Sequence, residues 1–344
     1  MLGSSGTGGV RDDAERRAGV GRDERGMTRV EWAAVSVDRA ARAAFPDRAV
    51  TDTTLCSTRP GNATGLVTFA DGESVYVKTA RDATRLAREA AATRAAPRPT
   101  TPTVVASDAT SDPPVLATRP ARGVPFTDRW SDDRRGAVRA AGRALARLHE
   151  TRFDTPGIVC ADGTDLRIET APWPETLAAT LRARADDWLP DRFADCADRL
   201  PRLVRRTRPT VGDTAPRLCH DDVTRSNVRV DPPGLIDLER ALVGDPALDL
   251  VCARTHLIEQ PDVPPADRDR LVDALHAGYR AIAGDLPATL PRNRPLYRAT
   301  SYLLVLQAFD SLRELVGRPA GELEREVREE FDRRCARALA ATDE

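Results

Sequence analysis

Hydrophobic residues in this chain change their spacing part-way along. From 51 to 80, "TDTTLCSTRPGNATGLVTFADGESVYVKTA", apolar and polar residues alternate, whereas "RRGAVRAAGRALARLHE" at 134–150 repeats every three to four residues. Alternation by two builds half-buried strands and a repeat near 3.6 builds amphipathic helices, so the chain must hold a β-rich part followed by a helical one. At 344 residues and 41% hydrophobic it is long enough for one large or two ordinary domains.

The β-rich part reads as a meander. One strand ends near Cys56, "STRPGNAT" is a loop, "GLVTF" a second strand, "ADGE" a tight turn and "SVYVK" a third strand. A helix precedes it at 31–45, and another follows from about Arg81 to Ala95, ended by "APRPTTPT". The strands "TVVAS" and "PVLAT" then complete a small mixed sheet, and "RPARGVPF" is a connector. Further helices are expected within 175–206, 266–283 and 296–342. The expected fold class is therefore α+β, two-lobed: a small mixed β-sheet N-lobe over 29–119 and a larger, mostly helical C-lobe over 120–344, with the site where they meet. Residues 1–28, polar and Gly-rich, read as a disordered tail or the product of an upstream start, since hydrophobic periodicity begins only after Met27.

Composition narrows the function classes. A net charge of -1 with 31% charged residues gives no reason to expect nucleic acid or an anionic membrane as partner. The six cysteines form no CxxC pair or ligand-like spacing and read as thiols of a reducing, cytoplasmic setting. No apolar run approaches the roughly 18 residues a membrane span needs.

One segment interrupts the helices: "LCHDDVTRSNVRVDPPGLIDLERALVGDPALDL", with seven carboxylates. "DPPG" reads as a four-residue turn, which pairs Val230 with Leu235 and places Asn227 and Asp237 at neighbouring rungs of a hairpin. Two oxygen ligands so placed suit Mg²⁺, which completes its shell with waters and phosphate oxygens. Asp222, on the loop before the hairpin, is placed to accept a proton from an attacking hydroxyl. The same three residues also read as turn and capping residues of an ordinary polar hairpin.

These residues carry a resemblance. "HDDVTRSN", 220–227, resembles the H-x-D-x-x-x-x-N loop of the aminoglycoside phosphotransferase and choline kinase group, small-molecule relatives of the protein kinases, and "LIDLERALVGDPALDL", 235–250, resembles its I-D-x-E and G-D-P-x-x-D-L segment. "ALARLHE" and "PGNATGLVTF" are similar to the group's helix and nucleotide-loop hairpin, so the likeness runs over about 35–315. It implies a protein-kinase-like fold and an ATP- and Mg²⁺-dependent phosphotransferase acting on a small hydroxylated molecule. By the same resemblance Asp222 is the catalytic base, Asn227 and Asp237 hold the metal, and His220 is a scaffold of the loop. Lys78, Glu89, Gly61 and Asn62 face the nucleotide, whose base lies against "LATRPA". In "GDPALDL", Gly244, Asp245 and Asp249 are structural, with Asp245 capping the next helix or pinning the catalytic loop.

Two departures stand out. The family usually has Gly where this chain has Asp221, and two adjacent acids raise one pKa unless Arg225 or a metal offsets them. Thr224 stands where His is frequent. Lys78 is notable on composition alone, as the one lysine beside 51 arginines in a Lys+Arg total of 52. An ammonium fits between phosphates and a carboxylate such as Glu89 better than a planar guanidinium does. A bland alternative pairs Glu89 with Arg85 instead. His149 reads as helix-end packing, His256 and His276 as surface or core residues, and Cys219 as buried filler.

Two other functional classes stay open: a nucleotide-binding pseudoenzyme with a regulatory role, and an atypical protein kinase, although only a short stretch separates Asp237 from "GDPALDL" and leaves little room for a peptide-docking segment. Amine recognition would call on the carboxylates of "ADGTD", "RADDW" and "DRFADCAD". Oligomeric state and the acceptor's identity are not legible.

Overall fold

The computed structural model describes residues 28–59, 61–212 and 215–342. The expected tail, 1–28, lies outside the described residues apart from Thr28. The chain forms two compact units, one of residues up to 90 together with 102–120, the other of 91–101 together with 121 onward.

In the first unit, helix α1 (Arg29–Ala44) starts on a capping box in which the Thr28 hydroxyl accepts from Glu31 N–H and the Glu31 carboxylate accepts from Thr28 N–H. Strands β1 (Val50–Arg59), β2 (Asn62–Phe69) and β3 (Ser74–Ala80) form the meander. Alternation buries Ala63, Val67, Phe69, Val75 and Val77 against Ala33, Val37, Ala40 and Ala41 of α1. The loop expected over 57–64 is far shorter: the ladder continues until Arg59 pairs with Asn62, with Gly61 at φ +75° at the tip. β-branched residues at 58 and 64 extend the strands past the bulge after Leu55.

Helix α2 (Ala83–Ala95) leads to β4 (Val104–Asp108) and β5 (Val115–Thr118), and the sheet order is β1-β2-β3-β5-β4. The expected mixed sheet is antiparallel at every pair. The α2 crossover does return β4 in the direction of β3, but β5 folds back between them and is antiparallel to both. Residues 91–101, expected in the small lobe, belong to the second unit. Ala92 and Ala96 join its core, and the Thr100 carbonyl accepts from Leu235 N–H.

The second unit begins with β6 (Val124–Pro125), α3 (Phe126–Asp132) and α4 (Arg134–Leu148). A hairpin absent from the sequence expectation follows: β7 (Gly157–Asp162) and β8 (Asp165–Thr170), turned at Gly163 with φ +60°. Then come α5 (Trp173–Trp188), α6 (Ala194–Thr207) and the strands β9 (Arg217–Cys219), β10 (Val228–Val230), β11 (Gly234–Leu235) and β12 (Leu242–Gly244). They form two small sheets, β8-β7-β12-β9 and β11-β10-β6.

Helix α7 (Ala247–Ala253) runs into a π-helical turn at Arg254–Ile258, and α8 (Pro265–Ala283), α9 (Leu290–Thr300), α10 (Leu303–Gln307), α11 (Phe309–Val316) and α12 (Ala320–Ala340) complete the unit. Helices α4 and α8 cross nearly backbone to backbone: a methyl on Gly142 would stand 2.1 Å from the Leu275 carbonyl oxygen, and one on Gly278 2.0 Å from that of Arg139. No helix among the described residues is long and apolar enough to cross a membrane. All six cysteines are free thiols.

Candidate active site

The β10–β11 hairpin differs from its expected register. Val228 pairs with Leu235 and Arg229 with Gly234, a slip of two residues from the pairing of Val230 with Leu235. A slip of two leaves every side chain on its original face, so the apolar pattern cannot distinguish the two registers. Val230 is engaged on its other side by Val124 of β6, and Asp231 turns the chain at φ +51°. Asn227 therefore faces Ile236, whose N–H donates to the Asn227 carbonyl at 2.9 Å, and Asp237 follows at φ +66°. Asp tolerates that left-handed conformation better than most residues, and it takes the Asp237 side chain out of the regular ladder.

The loop ahead of the hairpin is held from several directions. His220 is fully buried; its Nε2–H donates to the Ile236 carbonyl at 2.9 Å while its Nδ1 accepts from Asp222 N–H at 3.2 Å. The Asp249 carboxylate accepts from His220 N–H at 2.7 Å and Asp221 N–H at 2.9 Å, and from His149 Nε2–H at 3.0 Å. His149 in turn accepts from the Tyr279 hydroxyl, so it is a polar tie and not merely helix-end packing. Although burial opposes it, this partnership with His149 and the loop N–H groups keeps the Asp249 carboxyl below its ordinary range.

Asp249 thus does what Asp245 was expected to do for the loop. Asp245 caps the start of α7, accepting from Ala247 N–H at 3.0 Å, and takes bonds from the Thr289 hydroxyl, Asn293 Nδ2 and the Tyr297 hydroxyl, each at 2.7 Å. It ties α9 to the segment, not to the loop over 220–227. Before it, Gly244 is required by space: a methyl there would lie 2.1 Å from the Trp173 ring.

Asp222 is buried, and its carbonyl accepts from Asn227 Nδ2 at 2.9 Å and Thr224 N–H at 2.9 Å. Its Oδ2 faces Asn227 Nδ2 at 3.4 Å and Arg240 Nε at 3.9 Å, while Oδ1 is buried with no hydrogen-bond partner among the described residues. Among the described residues, Asn227 Oδ1 accepts only from the Ser226 hydroxyl, at 3.3 Å. Asn227 and Asp237 offer neutral and anionic oxygen, a donor set that fits a hard divalent cation.

Arg225 does not offset Asp221. It bonds the Asp262 carboxylate at 2.9 Å and the Leu257 carbonyl, and lies over the Trp130 ring. Asp221 is paired with Arg184 instead, Nη1 to Oδ2 at 3.0 Å and to the carbonyl at 2.9 Å. Burial still pushes the Asp221 carboxyl up to about 6, against the pull of Arg184. Its φ of +57° explains why glycine suits the position and why Asp is an admissible substitute. Arg184 sits on α5, and His256 is buried with its Nε2 unpartnered among the described residues, burial lowering it to about 4. Neither residue has a local spacing signal.

In the first unit, Lys78 Nζ donates to Glu89 Oε2 at 2.6 Å, with both side chains largely buried. The ammonium is thereby held on the strand by a carboxylate of α2. Three of the seven carboxylates considered for amine recognition have arginine partners: Asp162 with Arg167, Asp195 with Arg328 and, more loosely, Asp187 with Arg240.

A family model described as the phosphotransferase enzyme family matches residues 61–285. The chain belongs to this family. Among solved structures, this phosphotransferase is similar to a protein described as a fructosamine-3-kinase of Thermobifida fusca YX-ER1, at 18% identity over 88% of this chain and 98% of that one, with a TM-score of 0.56. A thermostable mutant of aminoglycoside phosphotransferase APH(4)-Ia, in ternary complex with ADP and hygromycin B, is 15% identical over 89% and 98%, with a TM-score of 0.56. A choline/ethanolamine kinase family protein of Mesorhizobium loti is 17% identical over 85% and 92%, with a TM-score of 0.51. No curated relative matches the sequence. The fold is protein-kinase-like, α+β, with an antiparallel N-terminal sheet and a mostly helical remainder, and the family is one of phosphotransferases.

Proposed function

We propose that this phosphotransferase moves the γ-phosphate of ATP, with Mg²⁺, to a hydroxyl of a small molecule. The observation that carries the reading is Asp222 Oδ1, a buried carboxylate oxygen with no hydrogen-bond partner among the described residues, on a loop held through His220 and Asp249. A buried acceptor of that kind costs about 1–3 kcal/mol unless a donor reaches it, and a substrate hydroxyl is such a donor. Asp222 orients that hydroxyl and takes its proton as the oxygen attacks phosphorus. Asn227 and Asp237 would hold Mg²⁺, which neutralises phosphate charge when bound. Lys78, positioned by Glu89, contacts the α- and β-phosphates, and Gly61 and Asn62 bring the hairpin backbone to the nucleotide. The complex with ADP described for the related aminoglycoside phosphotransferase supports a nucleotide donor. His220 and Asp249 keep Asp222 in place.

Asp221 is paired with Arg184, and Arg240 is shared between Asp187 and Asp222. The acceptor is a small hydroxylated molecule of aminoglycoside-, choline- or sugar-like chemistry. A screen for ADP formation over sugars, polyols, choline and aminoglycosides tests the reading. Asp222→Asn and Asp237→Asn should each lower turnover by about a hundredfold or more with the melting temperature kept. Near-normal turnover in either variant would remove its assigned role; nucleotide binding without turnover on any acceptor would favour a regulatory pseudoenzyme.

A further inference from the structure

Arg254, Arg294, Arg298, Arg334 and Arg337, with Pro295, line a cavity of about 300 Å³ in the second unit. None of them has a role in the reading above. Arg294 and Arg298 stand one helical turn apart on α9, and Arg334 and Arg337 likewise on α12, spacings at which like charges repel. Arg254 opens the π-helical turn, closed by Glu259 N–H donating to the Arg254 carbonyl at 3.0 Å. Such turns are rare and gather at functional positions.

The charges do not balance. Glu259 accepts from Arg254 at 2.7 Å, Arg298 at 2.9 Å and Arg334 at 2.9 Å, and Glu330 accepts from Arg334 at 2.7 Å. Arg294 and Arg337 have no side-chain hydrogen bond or ion pair among the described residues, so five guanidinium groups share two carboxylates. Some arginines elsewhere are matched one to one, as Arg42 is by Asp38 and Arg48 by Asp71. Here the excess lines a concavity, and Arg334 is only 6% exposed. Glu259 fixes three of the guanidinium forks in advance, which is the preorganisation that bidentate capture of oxygen pairs requires.

We propose that this pocket binds a small polyvalent oxyanion, one carrying phosphoryl groups or several carboxylates. The inference does not depend on the phosphotransferase mechanism. Calorimetric titration of the full chain with inorganic pyrophosphate and, separately, citrate, at fixed ionic strength and without Mg²⁺, tests it on the wild type and on Arg294→Ala/Arg337→Ala. Both side chains are exposed and unpaired, so the double variant keeps the wild-type melting temperature. The expected result is saturable binding of at least one titrant to the wild type and binding at least about tenfold weaker to the double variant. Preference for pyrophosphate assigns the phosphoryl source, preference for citrate the polycarboxylate one. Equal affinity of wild type and variant, or no binding to the wild type, overturns the proposal.

Discussion

Arg184 is the buried counter-charge of Asp221 on the loop over 220–227. It and Asp221 are 5% and 6% exposed, so each has given up most of its water for the other. Arg184→Met keeps the length of the side chain and removes the charge, leaving the Asp221 carboxylate buried without a counter-charge. Breaking one side of a buried pair costs about 3–5 kcal/mol. At about 1.4 °C per kcal/mol for a chain of this size, the melting temperature should fall by roughly 4–7 °C.

The loss must also depend on pH. Asp221 already titrates near 6 in the folded protein against an ordinary 3.8, and losing Arg184 raises it further. The folded state then holds a proton that the unfolded state has released, so stability rises as pH falls through the folded value towards 3.8. The deficit of Arg184→Met should therefore be larger at pH 8 than at pH 5. Asp221→Gly in the same background removes the buried charge and suits the φ of +57°. It should recover all but about 1 kcal/mol, the bond from Arg184 to the Asp221 carbonyl remaining lost. Scanning calorimetry of the four proteins of the cycle at both pH values provides the measurement. A single variant melting within about 2 °C of wild type, or a double no more stable than Arg184→Met, would refute the argument.

Other expectations follow from single contacts. Lys78→Arg should lower kcat/KM by about tenfold or more, read by ADP formation, because a wide planar fork cannot meet Glu89 and two phosphates together as a compact ammonium does. Gly244→Ala should cost at least about 2 kcal/mol in chemical denaturation, since its methyl displaces the Trp173 ring, which donates to the Tyr297 hydroxyl and through it meets Asp245. His256, lowered from 6.5 to about 4, contributes stability that is complete above 6.5 and is lost as pH falls towards 4. His256→Gln should flatten the decline of melting temperature between pH 7 and pH 5, and an unchanged slope would count against the assignment.

What was legible in the sequence follows from how locally each feature is determined. Strands β2 and β3 and the loop motif 220–227 depend on neighbours a few residues away, and their periodicity or spacing could be read directly. The β7–β8 hairpin had a local signal too, Asp162-Gly163 between alternating residues; its carboxylates drew the reading towards a ligand pocket instead. The register of β10 with β11 was hidden for a different reason: a slip of two preserves the faces, and the contact that decides it comes from β6, about a hundred residues earlier.

Partner identity was hidden by composition. Arg184 is 37 residues from Asp221 and is one of 51 arginines, so nothing marks it beforehand as the counter-charge. Lys78 drew attention because lysine is otherwise absent from the chain. A residue type signals a role only in proportion to its rarity. In an arginine-rich chain, individual arginines must therefore be told apart by burial and by grouping around a concavity, the features that single out Arg184 at the loop and the pocket around Glu259.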